Sequence, residues 1–273
     1  MTDPPPGFLQ AAPPGLRTER AGGVVTLTLD RPERRNAIDV PLWRALAERL
    51  GEIDARAEDR VLVLTGAAGT FCAGGDLSQT GQAGSAGAAG SSDLRTAAMA
   101  VMRETVGAAC LALHRLAKPA IAAVEGTAAG AGANLAFGCD LVVAAQGSRF
   151  GEVFVRRALP VDSGGSWLLP RLVGLHKAKE LALLGDWIDA AEALRIGLVN
   201  RVVPEGRALA AARAWAARLA ASSPDALAAI KRDLNASFAR GFEQALESEA
   251  QGLAECVTRP AFAEAMKAFL EKS

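Results

Sequence analysis

The chain has no tyrosine, and only two histidines, His114 and His176, among its 273 residues. Histidine-rich metal sites therefore have almost nothing to build on. The four cysteines, Cys72, Cys110, Cys139 and Cys256, form no CxxC pair and have no histidine at zinc-finger spacing, which excludes a zinc ribbon and gives no disulfide framework. Free thiols in a reducing compartment are expected. Net charge is also missing: 30 Lys+Arg balance 30 Asp+Glu. That argues against nucleic acid or an anionic membrane as the main partner. No apolar run approaches the roughly 18 residues of a spanning helix. The opening "MTDPPPGFLQAAPPG" has neither the basic start nor the apolar centre of a signal peptide. These absences predict a soluble, cytoplasmic protein with no metal.

What remains is apolar and small. Half of the residues are hydrophobic, enough for a sizeable core in one large domain or two modest ones. Residues 1–16 are rich in Pro and Gly and read as a loose tail. "GVVTLTLD" (23–30) alternates like a strand, and Pro41 opens a helix through Leu50. "DRVLVLTG" (59–66), "KPAIAAVEG" (118–126) and "DLVVAA" (140–145) read as further strands, and Leu94 to Leu116 as a helix. Between them, "SQTGQAGSAGAAGSSD" (78–93) has little to bury and reads as a flexible loop. Strand, loop and helix thus recur, which points to an α/β core. Helices are expected at 207–221, 224–238 (capped by Ser223), 241–257 and 260–271. The domain reading is a tail 1–16, a core 17–205 and a helical segment 206–273.

Two loops stripped of side chains follow apolar strands: "FCAGGDL" (71–77) and "VEGTAAGAGANLAFGCD" (124–140). Three uses compete. A dinucleotide site is poorly matched, because "GAGANL" has Leu135 where a third Gly belongs. No GxxxxGK[ST] phosphate loop and no GxSxG nucleophile elbow occurs. Tight helix–sheet packing explains one small-residue loop but not a second of the same character. The third use is a pair of backbone N–H donors, one from each loop, converging on a single oxygen.

The ordered set "FCAGGDL", "IAAVEGTAAGAGANLAFGCDLVVAA" and "FGEVFVRRALPVDSGGSWLLPRLVG", with "GLVNRVVP" and the helical tail, closely resembles the enoyl-CoA hydratase/isomerase (crotonase) superfamily. The resemblance runs from about Val24 to the C-terminus. It implies a spiral core of ββα units with a C-terminal trimerisation segment, assembled as a homotrimer or hexamer. It implies an acyl-CoA thioester substrate, no cofactor beyond the CoA that the substrate carries, and an enolate held in an oxyanion hole. By the same resemblance the donors are the N–H groups of Ala73 and Ala131. Arg34, Arg35 and Ala37 lie near the CoA, and Gly74, Gly75, Asp76 and Leu77 lie along the thioester path. A solvated turn for the two arginines and a helix cap for Asp76 remain open.

The chain departs from that pattern where a hydratase carries its two glutamates. Asn134 and Phe154 stand there, and neither can exchange a proton near neutral pH. Asn134 can orient a water or the substrate. Asp162, in "LPVDSGG", matches the position where some isomerases of the superfamily carry a proton-moving acid, and one carboxylate suffices to move a proton between two carbons. Phe154 and Trp167 are expected beside it, and capping of the following helix is its other reading. Glu125 and Glu152 read as surface or structural charges. Double-bond isomerisation is therefore expected, with plain hydration or weak acyl-CoA binding as alternatives.

Overall fold

The computed structural model describes residues 15–76, 78 and 91–271. Leu77 and most of the 78–93 loop lie outside the described residues, as does nearly all of the expected tail. Leu16 belongs instead to β1 (Leu16–Ala21), which pairs antiparallel with β2 (Val24–Leu29). From β2 the sheet continues in parallel through β3 (Val61–Gly66), β4 (Ala120–Val124), β6 (Leu141–Ala145) and β9 (Arg201–Val203). A three-stranded sheet, β5 (Thr127–Ala129), β7 (Arg149–Gly151) and β8 (Trp187–Asp189), stands beside it.

The central strands are apolar throughout because both sheet faces are covered. Alternate residues point opposite ways. Val61, Val63, Ile121, Ala123, Val143 and Ala145 meet Ala208, Ala212 and Ala216 of α7 (Ala208–Ala220). Those three alanines fall at four-residue spacing, and the small stripe lets α7 lie close on the sheet. Leu62, Leu64, Ala122 and Val124 face the larger cluster on the other side, with Leu42, Leu46, Leu50 and Ile53 of α1 (Val40–Ala55). The Asp39 carboxylate caps α1, accepting from the Leu42 N–H at 2.9 Å. Glu125 is structural as well: its two carboxylate oxygens accept from the N–H groups of Gly206 and Ala208 at the start of α7, where the helix dipole favours an anion.

The expected helix at 94–116 is a composite. α2 (Ser91–Val101) passes through a π-helical stretch, Met102–Gly107, into α3 (Ala108–Arg115). Among the described residues this is the one segment, Asp93–Arg115, long and apolar enough by composition to cross a membrane, contrary to the expectation that none is. Alanines raise its mean hydropathy without a continuous apolar run. Val106, Ala109 and Leu113 are buried within the main core, while Leu94, Met99, Val101 and Leu111 are at the surface.

Three further helices, α4 (Ala131–Phe137), α5 (Gly165–Leu184) and α6 (Ala190–Arg195), complete the core. The C-terminal helices follow as expected: α8 (Pro224–Ala236), α9 (Phe242–Val257) and α10 (Pro260–Leu270). Ser223 caps α8 through the Ala226 N–H. Each of these helices carries large apolar side chains at the surface: Leu234, Phe242 and Leu270 are each at least 65% exposed.

Candidate active site

The two small-residue loops meet. The loop after β3 runs along β5, with the Cys72 N–H donating to Thr127 O (3.0 Å) and the Ala129 N–H to Cys72 O (3.0 Å). On its other side it pairs with the turn before α1: the Ile38 N–H donates to Gly74 O and the Asp76 N–H to Ile38 O, both at 2.9 Å. Asn36 locks that turn. It is fully buried with φ 57°, and its amide donates to Ala67 O and Thr70 O. Asparagine tolerates a left-handed backbone better than most residues. Asn36 is not among the candidate residues named from the sequence, where the Arg-Asn pair between strand and helix is the available turn signal.

Gly74 sits at a close approach of the two loops. Its φ is +102°, and a Cβ placed on it would lie 2.8 Å from Ala129 O and 3.8 Å from the Ala131 nitrogen. Gly74→Ala is expected to destabilise the fold by about 2–4 kcal/mol, combining backbone strain with overpacking. A denaturant midpoint equal to that of the unaltered protein would refute this.

These contacts decide which amides are free. The Ala73 N–H donates to Arg35 O at 3.0 Å, so Ala73 lines the cavity but is not the expected donor. The loop's bridging register leaves the next outward amide, that of Gly75, without a partner among the described residues. Ala131 is the first residue of α4, and its N–H has no partner within the helix. The positive φ falls on Gly130, at +51°, so Ala131 needs no glycine-only conformation.

Ala73, Gly74, Gly75, Ala131, Phe154 and Asp162 line one cavity of about 80 Å³, together with Arg157. The Phe154 ring covers the turn, since a Cβ on Gly130 would lie 3.4 Å from its tip. The Asp162 carboxylate accepts from the Ser163 hydroxyl at 2.8 Å. Burial raises its pKa above the ordinary range, partly offset by that hydrogen bond. It does not cap α5, whose N-cap is Gly164 with no side-chain hydrogen bond. Nor does Trp167 flank it: that ring packs edge-on against His114 at 5.1 Å and lines a separate apolar pocket. This second pocket, about 390 Å³, is walled by Cys110, Leu111, Leu135 and Leu168, and reaches Asn134 and Ser163.

Asn134 stands between these features, 1% exposed. Its amide donates to Asp162 main-chain O (3.0 Å) and to Glu152 Oε2 (3.3 Å). Glu152 is thus not a surface charge: it is 3% exposed, and burial pushes its carboxyl up to about 8. The pairing of β7 with β8 draws it inside. Arg34 and Arg35 are exposed on the turn that pairs with the loop, and Ala37 is buried behind them. Asp76 binds the Arg31 guanidinium at 3.2 Å and accepts from the Ser78 N–H. Those hydrogen bonds, Ser78's foremost, hold its pKa below the ordinary range, and they give it a structural duty in the turn.

The model of the enoyl-CoA hydratase/isomerase family matches residues 19–273. The chain belongs to that family. Among relatives of this hydratase/isomerase family protein, the 1,2-epoxyphenylacetyl-CoA isomerase of Escherichia coli is 37% identical, over 83% of this chain and 84% of its own. The short-chain-enoyl-CoA hydratase of Clostridium acetobutylicum is 33% identical, over 93% and 94%. A solved enoyl-CoA hydratase from Polaromonas sp. JS666 superposes with a TM-score of 0.84 at 35% identity, covering 94% of this chain and 97% of that one. The fold is the crotonase fold, and the protein is an enzyme of the lyase/isomerase class.

Proposed function

We propose that the enzyme shifts the double bond of an enoyl-CoA thioester, with Asp162 carrying the proton and the N–H groups of Gly75 and Ala131 holding the thioester oxygen. The carrying observation is the shared cavity: a half-buried carboxylate opens onto the same space as two unpaired amides from separate loops. Asp162 takes a proton from the α-carbon of a 3-enoyl thioester, and the electrons pass through the dienolate whose oxygen the two amides stabilise. The same carboxyl then returns the proton to the γ-carbon, giving the 2-enoyl product with no cofactor consumed. Asn134 and Phe154 cannot supply the acid/base pair that hydration uses, and the 37% identity to a named isomerase supports the same reading.

Ala73 and Ala37 shape the loop backbone, while Arg34 and Arg35 offer guanidinium groups to the CoA phosphates. Gly74, Leu77 and Asp76 belong to the thioester approach, and the 390 Å³ apolar pocket takes the acyl group. The exposed apolar side chains of α8, α9 and α10 support assembly as a homotrimer or hexamer. The purified protein, given a 3-enoyl-CoA deuterated at the α-carbon, is expected to form the conjugated 2-enoyl-CoA with part of that deuterium moved to the γ-carbon. Given a 2-enoyl-CoA, it is expected to hydrate at least about tenfold more slowly. A 3-hydroxyacyl-CoA as the dominant product would overturn the reading in favour of hydration, and tight binding without turnover would favour a carrier role.

A further inference from the structure

We propose that Glu152 is a positioning residue for this chemistry: as the uncharged acid it fixes Asn134, which holds the Asp162 main chain, and it leaves the site's negative charge to Asp162 alone. The proposal rests on the isomerase reading above and deepens it. Glu152 follows β7 directly, and its only hydrogen bond among the described residues comes from the Asn134 amide. That amide also donates to Asp162 main-chain O, so one side chain bridges the two acidic residues. Glu152 Oε1 and Asn134 Oδ1 are both buried with no partner.

The charges around it leave little choice. Arg156, on the turn that follows, pairs with Asp186 at 2.8 Å. Arg157 reaches Val153 main-chain O and the cavity beyond. From the loop ahead of α5, the facing groups are Asp162 and its Ser163 partner. A carboxylate at Glu152 would set an uncompensated anion in the interior against Asp162, with its Oε1 and the Asn134 Oδ1 both lacking donors. Protonation turns one of those oxygens into a donor. Burial and the Asp162 charge favour the neutral acid, against the pull of the Asn134 hydrogen bond. Asp162 is less enclosed and has a hydroxyl donor of its own. Two carboxyls in such unequal surroundings divide their roles, one neutral and one charged.

Glu152→Gln and Glu152→Leu in the full chain test this through isomerisation rates from roughly pH 6 to 10. Turnover of the unaltered enzyme is expected to fall above about pH 8, where Glu152 ionises beside Asp162. Glu152→Gln keeps the uncharged hydrogen-bonding shape, so its kcat at pH 7 should stay within about threefold and the alkaline fall should vanish. Glu152→Leu should lose about tenfold or more in kcat with KM little changed. An infrared difference spectrum between pH 7 and 10 should show a protonated carboxyl band that is absent in Glu152→Gln. An unchanged alkaline fall in Glu152→Gln, with an active unaltered enzyme, overturns the positioning role alone. So does the lack of that band at pH 7. An unaltered enzyme that does not isomerise at all overturns it together with the reading beneath.

Discussion

Asp162→Asn is expected to lower isomerisation of a 3-enoyl-CoA by about 10²–10⁴-fold, the usual contribution of a positioned acid/base group. The substitution is nearly isosteric, and an amide can still accept from the Ser163 hydroxyl. Fold and CoA-ester affinity should therefore be preserved. The loss should fall on kcat, because the missing step is proton transfer rather than binding. Burial holds the Asp162 pKa above the ordinary carboxylate range. The acid limb of the unaltered enzyme should accordingly lie higher than that of an exposed aspartate, with activity rising as the carboxylate forms. Residual Asp162→Asn activity should lack that limb. Turnover within a few-fold of the unaltered enzyme would show that another group moves the proton. Glu152 would be the first to examine, since its carboxyl shares the Asn134 amide with the Asp162 main chain.

How far the sequence carried this reading depends on which forces are local. The strands β2, β3, β4 and β6 are short alternating or apolar runs, and the C-terminal helices carry their own caps, such as Ser223 before Pro224. Both were readable because their signals lie within a few residues. β1 was missed because "LRTERA" is an edge strand whose charged side chains face water. β5, β7 and β8 have three residues each and take their identity from pairing partners far along the chain. The same distinction runs through the site. The sequence marked the two bare loops and the residues Asn134 and Phe154, which stand where the resemblance expects a hydratase's glutamates. It could not say which amide of "AGG" is free, because the Ala73 N–H is occupied by Arg35 O, 38 positions earlier in the chain. Glu152 misled for a related reason: its burial comes from the sheet it leaves and from Asn134, not from its neighbours in sequence.

The proposed oxyanion hole allows a second test of comparable size, because one donor can be deleted without cutting a side chain. Ala131 is the first residue of α4, the helical position at which proline is tolerated since its N–H has no intrahelical partner. Ala131→Pro therefore removes the proposed donor while sparing the helix. The adjacent Gly130, already at positive φ, supplies backbone freedom for the ring. Loss of one such donor costs about 10²–10³ in turnover. That loss should appear in kcat, because the hydrogen bond strengthens as the thioester oxygen gains charge, and less in KM. Ala73→Pro gives the contrast. It breaks the hydrogen bond to Arg35 O that ties the loop to the turn carrying Arg34 and Arg35, so its damage should show in thermal stability and substrate affinity as well as in kcat. If Ala131→Pro turned over normally with its fold intact, the thioester oxygen would have to be held elsewhere, and the shared cavity would lose its claim to be where the enolate forms.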